Sequence, residues 1–131
     1  MIFIDSNIPM YLIGTDHPNK AGARRLLEDA IADGEALCTD AEVLQEILHR
    51  YVAIGRPDAI DPAFALLSSV VDVVYAIEEA DVQRARRILL RADGLSARDA
   101  IHVAIMQRHE VDEILSFDIG FDGIPGVQRR S

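Results

Sequence analysis

Short apolar runs alternate with segments of helical period from one end of the chain to the other, and this alternation limits the fold more than any other feature. Residues 1–4 are apolar and stop abruptly at Asp5, which reads as a buried strand. Asn7-Ile8-Pro9 opens a short helix, proline being tolerated in its first turn. Across residues 16–33, Ala23, Leu26, Leu27, Ala30 and Ile31 recur at helical spacing, and Gly34 closes the segment. Ala36-Leu37-Cys38 is a second strand. Thr39-Asp40-Ala41-Glu42 has capping-box spacing and starts a helix to about Ile54, stopped by Gly55 and Pro57. Asp61-Pro62 starts a helix through Ser69, and the β-branched residues 70–76 form a third strand. Residues 78–92 are helical. Ser96-Ala97-Arg98-Asp99 is a second capping box, opening a helix to about His109; residues 113–117 are a fourth strand and 127–129 a short fifth. The pattern predicts an α/β fold, a mostly parallel sheet of about four or five strands between two layers of helices. With no linker and no repeat, residues 1–131 read as a single domain around one core.

Several classes are disfavoured. The longest apolar runs, 63–67 and 70–74 with Asp72 inside it, are far too short for a bilayer span. The start of the chain carries neither a basic leader nor a small-residue cleavage site, so a cytoplasmic protein is expected. Cys38 is the one cysteine, which excludes an internal disulfide and a thiolate zinc site. Gly120, Gly123 and Gly126 do not make a dinucleotide fingerprint, and there is no P-loop. A formal charge of −9 argues against a uniformly basic, nucleic-acid-binding surface. Every cation except Lys20 is arginine, however, with clusters at Arg24-Arg25, at Arg84, Arg86, Arg87 and Arg91, and at Arg129-Arg130. Each cluster reads first as a solvated helix face, and guanidinium groups also grip phosphate in two-point contacts.

The acids carry the chemistry. In an open parallel sheet, functional groups gather at the carboxyl ends of the strands, near the point where strand order reverses. Asp5 and Asp118 follow apolar strands directly, and Asp99 lies in the first turn of an apolar helix that starts on the same sheet edge. Glu46 lies roughly one and a half turns into the Thr39 helix, on a face with Glu42, His49 and Arg50. Taken singly, Asp99 is the acceptor of a capping box, Glu46 a surface residue, and Asp5 and Asp118 caps of the turns that follow them. Taken together, they repel, and either some stay protonated or a cation neutralises them. Oxygen ligands without histidine or cysteine select Mg²⁺ or Mn²⁺, which leave positions open for phosphate oxygens. Such a site cleaves phosphodiesters with metal-activated water.

Four fragments carry a family resemblance: Asp5-Ser6-Asn7, Thr39-Asp-Ala-Glu-Val-Leu-Gln-Glu46, Ser96-Ala-Arg-Asp99-Ala-Ile-His102, and Leu115-Ser-Phe-Asp118-Ile-Gly-Phe-Asp122. In this order and spacing the chain resembles a PIN domain of the VapC toxin type over essentially its full length. The resemblance implies a mostly parallel sheet between helices, commonly dimeric. It implies an acidic quartet, Asp5, Glu46, Asp99 and Asp118, holding Mg²⁺ or Mn²⁺, with Asp122 as a further ligand or an acid behind the ligands. Ser6 stands where the family often has threonine. Asn7 is expected to orient Asp5 or a water on the metal, and Ser116 to hydrogen-bond Asp118. Arg98 is read as a solvated residue at a helix start, with a substrate phosphate or an antitoxin carboxylate as its alternative partner. His102 is expected to be a packed or hydrogen-bonded histidine, because metal-activated water needs no imidazole base. The implied activity is endoribonuclease hydrolysis of structured RNA, tRNA or ribosomal RNA, without a covalent intermediate. The implied partners are a cognate antitoxin and a second copy of the chain, with helices 16–33 and 61–69 as candidate dimer surfaces.

Rival readings are weaker. Haloacid-dehalogenase-type phosphatases, on a Rossmann-like sheet, want a second aspartate where this chain has Asn7. Receiver domains want a late lysine, and Lys20 is early. A catalytically silent PIN fold acting as a protein-binding module remains the non-enzymatic alternative, which loss of one acid of the quartet would favour; all four are present.

Overall fold

The computed structural model describes residues 1–131. Its sheet has five strands, β1 (Ile2–Ile4), β2 (Leu37–Asp40), β3 (Val73–Tyr75), β4 (Glu113–Leu115) and β5 (Gln128–Arg130), all parallel in the order β3-β2-β1-β4-β5. Six helices connect and cover them: α1 (Asn7–Ile13), α2 (Lys20–Ala32), α3 (Ala41–Ala53), α4 (Ile60–Val70), α5 (Glu79–Leu89) and α6 (Ala97–Arg108). Single 3₁₀ turns occupy Pro57–Ala59 and Ile119–Phe121.

The central strand explains the arrangement. Ile2, Phe3 and Ile4 are all buried, as expected of a strand covered on both faces, and β1 lies between β2 and β4. The chain steps outward from β1 to β2 and β3, then returns to place β4 and β5 on the other side. Strand order therefore reverses between β1 and β4, and a crevice opens at their carboxyl ends. The edge strand β5 carries Arg129 and Arg130, charges that discourage further strand pairing; Arg130 binds Glu35 at 3.0 Å and also contacts Glu113.

α6 is the most buried helix, with Ala100, Val103, Ala104, Ile105 and Met106 in the core beside His102. It packs against α5, and one ion pair fastens the two. Asp81 of α5 is 1 % exposed and receives Arg108 of α6 in a two-point contact, 2.7 and 2.9 Å. The same carboxylate accepts the Glu78 N–H at 2.8 Å, closing a capping box at the start of α5.

Several boundaries differ from the sequence expectation, each for a local reason. α2 begins at Lys20 instead of Asp16, because His17-Pro18-Asn19-Lys20 forms a turn closed by Lys20 N–H to the His17 carbonyl at 3.0 Å. Pro18 presets the backbone for that turn. The third strand shrinks from 70–76 to Val73–Tyr75. α4 runs on to Val70, and Asp72 exchanges bonds with Leu37, donating its N–H to the Leu37 carbonyl at 2.8 Å and accepting the Leu37 N–H at 3.0 Å. Thr39 is not the cap of α3. It belongs to β2, where its hydroxyl donates to the Ile4 carbonyl at 2.9 Å, and Asp40 caps the helix by accepting the Val43 N–H at 2.9 Å.

The Asp81–Arg108 pair gives a stability prediction. Asp81→Ala strands a partly buried guanidinium and removes a helix cap, so urea unfolding is expected to show a loss of about 3 kcal/mol. A loss near zero would mean that the pair does not fasten α5 to α6.

Candidate metal centre

Asp5 follows β1 at the crevice and is 3 % exposed. Continuing the register from Ile4–Leu115 sets it level with Ser116, and continuing that from Phe3–Cys38 sets it level with Asp40. Its carboxylate is fixed on both oxygens. Oδ1 accepts the Ser6 N–H at 2.8 Å, while Oδ2 accepts the Ser116 hydroxyl at 2.6 Å and the Asn7 amide at 3.3 Å. Ser116 Oγ in turn accepts the Asp118 N–H at 3.0 Å and the Asn7 amide at 3.2 Å. Ser116 thus meets Asp118 through the backbone and gives its hydroxyl proton to Asp5.

Glu46 projects from α3 and accepts the Ser6 hydroxyl on Oε2 at 3.1 Å. Asp99 is 6 % exposed at the start of α6. Ser96 Oγ accepts the Asp99 N–H at 3.1 Å, which is the half of the expected capping box that forms. The Asp99 carboxyl is turned toward Asp118, whose proximity helps raise its pKa. Asp118 Oδ1 accepts the Gly120 N–H at 2.8 Å, and a Cβ at Gly120 would lie 3.1 Å from that oxygen and 3.0 Å from the Gly94 carbonyl, so no larger residue fits without moving Asp118.

His102, one turn after Asp99 on α6, is fully buried, with its ring centroid 5.2 Å from that of Phe3. Nδ1 meets Asp40 Oδ2 at 2.8 Å; Nε2 hydrogen-bonds Glu46 Oε1 and lies 3.8 Å from Asp5 Oδ1. The ligand-capable atoms of Asp5, Glu46, Asp99 and His102 all lie within 4.8 Å of one another. A buried imidazole nitrogen thus stands beside three of the four quartet acids, and His102 is packed and hydrogen-bonded, as the sequence led us to expect. Asp118 joins through Asp99. Asp122 is drawn away, bound by Arg129 at 2.7 and 3.0 Å and 53 % exposed. Arg98 pairs at 3.6 Å with Glu42, in keeping with a solvated role. The sequence pattern does not single out Asp40, because the capping-box spacing puts the cap at Thr39; its position two residues after the apolar Leu37-Cys38 pair was the available signal.

Electrostatics follow from the crowding. Burial raises the Asp5 pKa, against the lowering effects of His102 and the Ser116 hydrogen bond. Asp99 is pushed up to about 8, first by burial and then by its hydrogen bond to Asp118 and the charge of Asp5. Burial pulls His102 down, but hydrogen bonds to Asp40 and Glu46 more than offset it and hold its pKa well above the ordinary value. Protons thus balance charges that a divalent cation would balance directly, and a set of carboxylate oxygens with one nitrogen fits such a cation.

Elsewhere on the surface lies a concavity of about 610 Å³ where Arg84, Arg87 and Arg91 face the Gly123-Ile124-Pro125 loop. None of the three arginines is in an ion pair, and this part of the arginine cluster, on α5 and just beyond it, lines one hollow.

The PIN domain family model matches residues 2–127. The chain belongs to the PIN domain family. It is 59% identical over 129 residues to ribonuclease VapC13 of Mycobacterium tuberculosis, covering 98% of both chains. The structure of M. tuberculosis VapC20, a sarcin-ricin loop cleaving toxin, superposes with a TM-score of 0.78 at 24% identity, covering 97% of this chain and 98% of that one. VapBC2 of Rickettsia felis, bound to a DNA fragment from its promoter, has the same fold, with a TM-score of 0.73 at 16% identity over 99% of this chain and 98% of that one. This PIN domain is of the VapC kind, and its all-parallel sheet agrees with the architecture expected from the sequence.

The raised pKa values imply a pH dependence. Asp5, Asp99 and His102 each hold a proton more tightly folded than unfolded, so the stability linked to them is present at low pH and lost as pH rises. Metal-free protein is expected to lose melting temperature as pH climbs from the ordinary carboxylate range through about 8, with a shallower fall in Asp99→Asn. Parallel curves for the two proteins, followed by calorimetry in EDTA, would contradict the assignment to Asp99.

Proposed function

We propose that this VapC-type ribonuclease is an endoribonuclease that hydrolyses structured RNA, tRNA or ribosomal RNA, with Mg²⁺ or Mn²⁺, and is the toxin of a toxin–antitoxin pair in the cytoplasm. The observation that carries this reading is the convergence of Asp5, Glu46 and Asp99 at the crevice, with ligand-capable atoms within 4.8 Å. Those three acids hold the cation, with Asp118 at the edge of the set beside Asp99. A bound divalent cation supplies positive charge to a phosphoryl oxygen and lowers the pKa of water.

The chain's own residues prepare that chemistry. Ser6, Asn7 and Ser116 orient Asp5 through both of its oxygens, so the carboxylate does not reorganise when charge develops. Asp99, its pKa raised partly by Asp118, would give up its proton when a cation binds. Asp122 acts from behind: it orients Arg129, whose Nη1 donates to the Ser116 carbonyl at 3.2 Å. Arg84, Arg87 and Arg91 take the phosphates of RNA flanking the cut. An antitoxin partner is supported by the VapBC neighbour, and a homodimer by the exposed Leu48, Val52 and Ile54 of α3 and the residue after it.

Antitoxin-free protein incubated with total cellular RNA and Mg²⁺ or Mn²⁺ tests the reading. Discrete cleavage is expected, abolished by EDTA and lowered at least about a hundredfold in Asp5→Asn and Asp99→Asn. Absence of both cleavage and metal binding would favour a silent binding module. Separately, the Arg87→Ala/Arg91→Ala double variant is expected to raise KM about tenfold with kcat little changed, and to flatten the salt dependence of RNA binding by about one unit of slope per lost phosphate contact. An unchanged salt slope would remove the hollow from the RNA path.

A further inference from the structure

We propose that His102 is itself a ligand of the divalent cation through Nε2, oriented by Asp40, and that this nitrogen makes the centre prefer Mn²⁺ to Mg²⁺. The inference rests on the metal-dependent reading above and names a ligand which that reading does not include.

The first support is position. Nε2 belongs to the group of ligand-capable atoms within 4.8 Å of one another, together with oxygens of Asp5, Glu46 and Asp99. A cation bonded to those oxygens lies within reach of the nitrogen. The second support is confinement. The ring is fully buried beside Phe3, so it has no solvent-facing rotamer to escape to.

The third support is the back of the ring. Nδ1 lies 2.8 Å from Asp40 Oδ2, and Asp40 is fully buried with its other oxygen on the Val43 N–H at 2.9 Å. Asp40 is therefore fixed by the first turn of α3, with Oδ2 placed to accept from Nδ1. It keeps the Nδ1 proton in place, which directs the remaining ring nitrogen at the carboxylates. Carboxylate–histidine–metal arrangements of this form orient the ring and raise its strength as a donor. Glu46, now hydrogen-bonded to Nε2, becomes a neighbouring ligand on the same cation.

The consequence is selectivity. Mg²⁺ favours oxygen ligands and retained water, whereas first-row transition cations accept imidazole nitrogen. A His102 bonded to the cation therefore favours Mn²⁺, while a His102 that merely positions Glu46 supplies no nitrogen to it.

The experiment uses Mn²⁺ as its own probe on the intact protein in the absence of RNA. Electron spin-echo envelope modulation of the Mn²⁺ complex should show nitrogen coupling, and growth with ¹⁵N-histidine should convert it to the ¹⁵N pattern without any mutation. In His102→Gln the coupling should vanish, and the ratio of Mg²⁺ to Mn²⁺ dissociation constants should shrink about tenfold or more. Asp40→Asn should keep the coupling but weaken Mn²⁺ binding about tenfold. Mn²⁺ binding without histidine nitrogen coupling in the wild-type protein would overturn the ligand assignment and leave the metal-dependent reading standing. Failure of the wild-type protein to bind Mn²⁺ at all would overturn both.

Discussion

Mutual repulsion among buried carboxylates is the constraint around which this molecule is organised. Asp5 stands at the end of the central strand, flanked on the β2 side by Asp40 and faced by Glu46 and Asp99 from two helices. In a low-dielectric crevice such charges cannot all coexist without compensation. The fold supplies it in three forms: hydrogen bonds from Ser6, Asn7 and Ser116, a buried imidazole between Asp40 and Glu46, and a proton held on Asp99, whose pKa burial and Asp118 push up. A network that must spend so many donors on one anionic cluster is suited to binding a cation, which replaces several partial compensations with one.

Rigidity around the cluster comes from its foundations. β1 is held between two parallel neighbours and buried on both faces, so Asp5 has little freedom to relax away from the other acids. α6 delivers both Asp99 and His102 and is itself core along most of its length, tied to α5 by Arg108 and Asp81. The acidic cluster is thus built on the most buried parts of the domain, as preorganised electrostatics requires. Arg84, Arg87, Arg129 and Arg130 lie outside this frame, on α5 and β5, where guanidinium groups line a surface hollow or pair with acids nearer the surface.

Legibility differed between levels. The alternation of strands and helices, the single sheet and the strand-end position of Asp5 and Asp118 follow from local patterns, because apolar period and turn residues act over a few neighbours. The edges of elements were less readable. Pro18 delayed α2 through a turn, and Thr39 joined β2 because a hydrogen bond to the Ile4 carbonyl, 35 residues earlier, outweighed its capping role. His102 and Asp40 were visible as residues but not as a pair: their 2.8 Å contact spans 62 positions and exists only once α6 crosses the end of β2.

The sequence by itself determined the class of fold and pointed to the kind of chemistry, since two acids at strand ends, one at a helix start and one inside a helix gather on one sheet edge. Tertiary structure alone decided the membership of the site. Asp122 has the same carboxylate as Asp118, yet Arg129 arriving on β5 takes it out of the cluster. His102 has no acidic character, yet burial sets it between two carboxylates beside the cluster. The physical reason is that a ligand is defined by where its donor atom points relative to others within a few ångströms, and those others come from segments that only the assembled sheet and helices bring together.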